Sequence, residues 1–227
     1  MKKILIAMLF PWVMSHSQQT EKEPLNIILM VGDVMGLSQI TAGMYINNNT
    51  FTLKNFSVVG LSKINAIKSL VTDLTASWTA MPCGDKTYSG VLGTNYLNKN
   101  LKSILEICEE NNYNTELIAT SSNVHATPAS FYTNVSSLKK YEDISMQLNT
   151  IKVDYFIGGG KKHFNYRQDS RIFIKEMKSF DMVKNLKGFQ KSEADKIDLF
   201  TYVRAPMLKQ RKRSPTARVS HSHFRKI

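Results

Sequence analysis

Asn26 to Thr41 reads NIILMVGDVMGLSQIT, and the nature of its first half decides the fold. The apolar run Ile27 to Val31 has no polar alternation, the pattern of a strand buried on both faces of a parallel sheet. It breaks at Gly32 and Asp33, and helix-compatible sequence follows from about Leu37 to Tyr45, closed by Asn47-Asn48-Asn49. Open α/β sheets hold ligands in the crevice outside the carboxyl ends of their strands, so a carboxylate just past such a strand is a candidate metal ligand. Asp33 is equally compatible with a cap that satisfies the backbone donors of the next helix.

Two further segments repeat the design. SLVTDLTASWTAMPCG (69–84) reads as a strand end, then Thr72-Asp73, then a helix stopped by Pro82 and Gly84. Glu116 to Thr120 reads as a buried strand that runs into SSNVHATPAS, with His125 and Thr127 just beyond it. On one parallel rim these segments would supply two carboxylates, an imidazole and a hydroxyl, an oxygen-rich set suited to a hard divalent cation. Elsewhere Phe56 to Leu61 suits a strand, and Asn100 to Asn111 an amphipathic helix with apolar residues at 101, 104, 105 and 108. Val153 to Ile157 suits a strand, Arg171 to Phe180 a helix and Lys196 to Val203 a final strand. Gly158-Gly159-Gly160-Lys161-Lys162 lacks the spacing of a phosphate-binding loop and reads as a tight turn. The alternation predicts an α/β domain over 25–203, with a mainly parallel sheet flanked by helices.

The ends differ from this body. Met1-Lys2-Lys3, an apolar stretch to Met14 and Ser15-His16-Ser17 read as a signal peptide over 1–17. The apolar stretch is too short for a membrane span. A polar linker over 18–24 follows, and export to a periplasmic or extracellular space is expected. From Arg204 to Ile227 there is no apolar period and no acidic residue, which predicts a disordered basic tail. His221 and His223 within it read as bystanders rather than a metal pair. Lys2, Lys3 and the eight basic residues of the tail carry most of the net charge of +12. The body therefore offers no basic face for nucleic acid. Cys83 and Cys108 are too few and wrongly spaced for a disulfide scaffold or a metal site. Cys108 shares an apolar helix stripe with Leu101, Ile104 and Leu105.

Together NIILMVGDVMGLSQIT, SLVTDLTASWTAMPCGDKTYSGVLGTN, LIATSSNVHATPASFYTNVSS and VDYFIGGGKKHF resemble the N-terminal half of an alkaline phosphatase. The resemblance implies a three-layer αβα fold, and a reaction in which a helix-start serine attacks a phosphate monoester between two zinc ions. A magnesium ion sits beside the zinc pair and an arginine holds the phosphoryl oxygens. The physics is a two-metal clamp on an in-line displacement, with charge stabilised where it develops. Position by position, Asp33 matches the aspartate that bridges a zinc and the magnesium, and Thr127 the hydroxyl ligand of the magnesium. His125 matches an aspartate-or-histidine position near that metal, and Asp73 the aspartate that orients the arginine. A family-type homodimer is also implied, though the surfaces that would form it need not be present.

Several positions depart from the family. Where its motif reads Thr-Asp-Ser, this chain has Thr72-Asp73-Leu74, so the nucleophile position holds leucine. Ser77 lies one helical turn on, near 5 Å along the axis, and misplacement on a far smaller scale already costs about 100-fold in rate. Leu138 stands at the arginine position, with Lys139 beside it as a point charge that lacks the guanidinium fork. Val34 replaces a glycine, which is costly if that site uses positive φ. Trp78 fills a position that is usually small, and overpacking costs about 1–3 kcal/mol. The remaining zinc ligands of the family have no counterpart here, so any magnesium held by Asp33 and Thr127 is expected to be weak, and the sheet incomplete with an unpaired edge. The expectation is an alkaline phosphatase by descent that is truncated and catalytically inactive. The alternatives are a working enzyme with a surrogate nucleophile, and a non-catalytic phosphate- or metal-binding protein of the same fold.

Overall fold

A computed structural model of the chain describes residues 26–151 and 153–202. The expected signal peptide, the linker and the basic tail with His221 and His223 lie outside these residues. The chain divides into two units, Met1–Asn55 and Phe56–Ile227.

In the first unit, helix α1 spans Leu37–Ile46. Gly36 precedes it in extended conformation, and its N–H donates to Gln39 Oε1 at 3.1 Å. The asparagine run ends the helix as expected: Asn48 and Asn49 take φ of 48° and 63°, the left-handed region that asparagine tolerates better than most residues. The expected strand at Ile27 to Val31 does not form. Its side chains are open to solvent, Ile27 at 70% and Met30 at 86% exposure, and the backbone carries no ladder. An apolar run encodes hydrophobicity, but a parallel strand also needs neighbours that are distant in sequence.

The second unit contains a four-stranded sheet in the order β1-β2-β4-β3. Its strands are β1 (Glu116–Ser122), β2 (Tyr155–Gly159), β3 (Asp181–Val183) and β4 (Ile197–Tyr202), and every pair is parallel. Alternation along the strands divides the core into two layers. Leu117 and Phe156 belong with Trp78, Leu105, Ile144, Leu148 and Phe164 on one face. Ile118, Ile157, Ile197 and Leu199 belong with Phe189 on the other. Helices α2 (Leu74–Cys83), α3 (Ile104–Glu110), α4 (Ala126–Ala129), α5 (Tyr141–Leu148) and α6 (Lys162–Asn165) therefore cover the first face, and α7 (Leu186–Lys191) the second. The parallel sheet is the one the alternating elements predict, and the three layers are those the resemblance implies.

Helix α2 begins and stops where the sequence indicates, with Asp73 at its N-cap and Gly84 at φ 70° closing it. The closing position needs the left-handed region, which glycine enters without steric cost. Helix α3 starts three residues later than its apolar period suggests. Ser103 Oγ accepts from the Glu106 N–H at 3.2 Å, while Glu106 Oε2 accepts from the Ser103 N–H at 2.7 Å. That reciprocal pair sets the start.

Two other expectations fail. Phe56 to Leu61 is irregular and exposed, up to Val59 and Leu61. Arg171 to Phe180 forms only a short 3-10 turn, Phe173–Lys175. The apolar residues there, Phe173, Met177 and Phe180, are buried at helical spacing, yet they plug the core from an irregular segment, with Phe173 stacked on Phe164 at 6.3 Å between ring centres. Tertiary packing has overridden local preference. Both cysteines are free and partly buried. Among the described residues, no helix is long and apolar enough to cross a membrane.

Candidate active site

The start of α2 is the best-defined feature. Asp73 Oδ1 accepts from the Ala76 N–H at 2.9 Å, the standard N-cap bond. Its Oδ2 accepts from the Thr75 hydroxyl at 2.5 Å and from the Gly90 N–H at 2.8 Å. Thr75 Oγ1 also accepts from Gly90, at 2.7 Å. Burial works against the charged form, but the bonds from Thr75, Ala76 and Gly90 outweigh it and hold the Asp73 carboxyl below its ordinary value. Thr75 itself is buried. It ties the helix start to Gly90 and turns away from solvent.

Gly90 also connects Asp73 to the expected arginine position. The Leu138 N–H donates to Gly90 O at 3.1 Å, so Leu138 stands one residue's width from the carboxylate that the resemblance assigns to orienting the arginine. Gly90 has φ of 86°, a conformation in which a Cβ is strained. The Leu138 side chain is half-buried and packs against the larger core cluster. A hydrocarbon there has been absorbed by packing, and neighbouring Lys139 is exposed.

Leu74 is the first residue of α2 and is 36% exposed. An aliphatic side chain at the surface end of a helix, immediately after the capping aspartate, presents no lone pair. One turn on, the Ser77 hydroxyl donates to Asp73 O at 2.6 Å and lies 3.2 Å from Thr72 Oγ1. This bond back to the preceding turn directs the Ser77 oxygen along the helix.

His125 is the N-cap residue of α4, two residues before Thr127 in that helix's first turn. The Nδ1 of His125 is buried and has no hydrogen-bond partner. Helix α4 packs on both α2 and β1, so the helix starts that carry Leu74 and His125 belong to neighbouring elements. Asp33 lies in the first unit, exposed, on the turn in which the Met35 N–H donates to Gly32 O at 3.2 Å. Beside it Val34 takes φ of 57°. The condition that makes a β-branched residue costly here is thus met, at about 1–2 kcal/mol for an L-residue in that region.

The described residues contain no group of three or more His, Cys, Asp or Glu able to hold a metal ion. Zinc sites are built from at least three such donors, so these residues do not fit the zinc pair. The sequence sets Thr75 beside the nucleophile position but pointing elsewhere, and does not show that it and Gly90 lock Asp73. Ser89-Gly90 is a turn signal, but its pairing with a residue 17 positions away is not a local property.

A protein-family model described as alkaline phosphatase matches residues 25–201. The chain is 32% identical over 179 residues to alkaline phosphatase 4 of Bacillus subtilis (strain 168), covering 72% of this chain and 38% of that protein. It is 31% identical over 174 residues to the alkaline phosphatase of Escherichia coli (strain K12), covering 64% and 37% respectively. Among solved structures, the alkaline phosphatase from the Antarctic bacterium TAB5 superposes with a TM-score of 0.76 at 30% identity, covering 85% of this chain and 58% of that one. The chain spans less than two fifths of the length of these two curated relatives.

Proposed function

The chain belongs to the alkaline phosphatase family, and from that premise we propose that it does not hydrolyse phosphate monoesters through a phosphoseryl intermediate. The observation that carries this is Leu74, the residue that directly follows the capping Asp73 and opens α2. Attack on phosphorus needs an oxygen lone pair at that helix start, and leucine has none. Two further features support the reading. Leu138 gives its side chain to the core where the resemblance implies a phosphate-holding arginine, and a hydrocarbon supplies no charge to the equatorial oxygens of a transferring phosphoryl group. Ser77 lies a full turn away with its hydroxyl committed to Asp73 O.

The test is phosphate release from an aryl phosphate monoester at alkaline pH, with zinc and magnesium supplied. The chain is expected to match a blank that contains the metals alone. Turnover well above that blank that is lost in Ser77→Ala overturns the proposal and points to Ser77 as a surrogate nucleophile.

A further inference from the structure

Asp198 lies in the middle of β4 with none of its surface exposed, and neither carboxyl oxygen meets a hydrogen-bond donor. It is in register with Phe156 on β2 and with Met182 on β3. Paired residues of adjacent strands point to the same face, so Asp198 faces the larger core, where Phe156, Met182 and Phe200 pack. Around it Tyr132 meets Phe156 edge-on at 5.5 Å, and Phe164 meets Phe200 at 4.7 Å. A carboxyl group has been placed where the sheet meets its helical layer.

Few charges reach it. From the segment after α4 comes Tyr132, fully buried, whose hydroxyl donates to Asn123 O at 2.8 Å. From the turn after β2 comes Lys161, half-buried, whose charge bears on Asp198. Of the other ionisable groups of that layer, His125 caps α4 with its buried Nδ1 unpartnered, and two more are engaged elsewhere. On α6, His163 is pushed down to about 4 by burial and by Lys162, and its ring packs on Tyr141 at 4.9 Å. Arg167 is held by Asp169, the Ser145 hydroxyl and Glu142 O.

An unpaired carboxylate in an apolar interior costs far more than the neutral acid. Burial raises the Asp198 carboxyl well above its ordinary value, with Lys161 opposing in part, and Asp198 in turn helps burial to raise Tyr132.

We propose that β4 packs tightly under its helical layer only while Asp198 is the neutral acid, which makes the second unit a pH-responsive fold. Ionisation releases the proton to water and requires the packed layer to loosen so that the carboxylate can be hydrated. The sign follows from proton linkage. Unfolded, this carboxyl titrates near pH 4; folded, it holds its proton to higher pH. Between those values the folded state binds more protons, so stability falls as pH rises and levels off above the folded value.

The experiment uses the full chain, Asp198→Asn and Asp198→Leu. Urea unfolding across about pH 4 to 8 is expected to show the folding constant of Asp198→Asn gaining on the wild type by up to about tenfold per pH unit within the window, the limit for one proton. Asp198→Leu should gain in the same way. An infrared band of a protonated carboxyl that persists above the unfolded value near pH 4, present in the wild type and missing from Asp198→Asn, is the second readout. A ratio that stays constant with pH, or no such band in the wild type, overturns the proposal.

Discussion

Trp78→Ala is expected to destabilise the second unit by about 3–5 kcal/mol, the range for emptying a large aromatic from a packed core. Trp78 is 7% exposed and belongs to the larger core cluster. Along α2 it shares a buried side with Thr75, Thr79 and Pro82, and the helix packs against α3 and α4. The family comparison at the level of sequence suggests overpacking, since the position is usually small. Its place in the core suggests instead that the neighbouring elements have shaped themselves to the indole. The two ideas separate cleanly with Trp78→Leu: an overfilled site gains stability when the side chain shrinks, whereas a fitted one loses it. We expect loss for both variants, larger for alanine. Because the chain has only 2 tryptophans, the unfolding is best followed by circular dichroism in urea. A stabilised Trp78→Leu would show that the sequence-level suggestion was right.

Asp73→Ala is the second large effect, expected at about 2–4 kcal/mol from the lost cap and the stranded hydroxyl taken together. The substitution leaves the Ala76 N–H without its capping oxygen and the buried Thr75 hydroxyl without its acceptor. Gly90 keeps Thr75 Oγ1, which limits the damage. The pH dependence has a definite sign. The folded carboxyl is held below its ordinary value, so its contribution is fully present above about pH 4, the unfolded value, and is lost as pH falls through the folded value. The gap between wild type and Asp73→Asn should accordingly narrow on acidification below pH 4 and stay constant above pH 5. A gap that widens with acid would mean that hydrogen bonds to the carboxylate do not dominate at Asp73.

Asp73 and Asp198 behave oppositely for a reason visible in their surroundings. Asp73 sits at a helix start where backbone and hydroxyl donors converge; Asp198 sits on a strand whose own backbone bonds run to its neighbours, and no donor meets its carboxyl oxygens. On a change of pH, the same residue type strengthens one element and conditions the other.

What could be read in advance follows the locality of each signal. Helix α2 was legible at both ends because Asp73 and Gly84 act within a few residues, and β1, β2 and β4 were legible from the short apolar clusters Leu117-Ile118-Ala119, Tyr155-Phe156-Ile157 and Leu199-Phe200. The run at Ile27 to Val31 carries the same signal and forms no strand, because pairing is supplied by other segments and not by composition. Strand β3 has three residues, too few for a period, and helix α5 is marked only by Glu142 and Asp143 in its first turn and by the buried pair Ile144 and Leu148 at i, i+4. In the candidate site the motif placed Asp73, Leu74 and Leu138 at one another's side, and the Gly90 bridge joins the first to the third. Asp198 is not legible as a buried residue, because a charge within a strand usually signals a solvent-facing position; only the sheet order turns it inward.

The most direct measurement of the central claim is a search for the covalent intermediate itself. The protein is mixed with an aryl phosphate monoester, zinc and magnesium, quenched in acid, and its intact mass and peptides are determined. An unmodified chain is expected, because Leu74 offers no oxygen at the start of α2. A phosphorylated peptide spanning residues 69–84, with the group on Thr75 or Ser77, would contradict it.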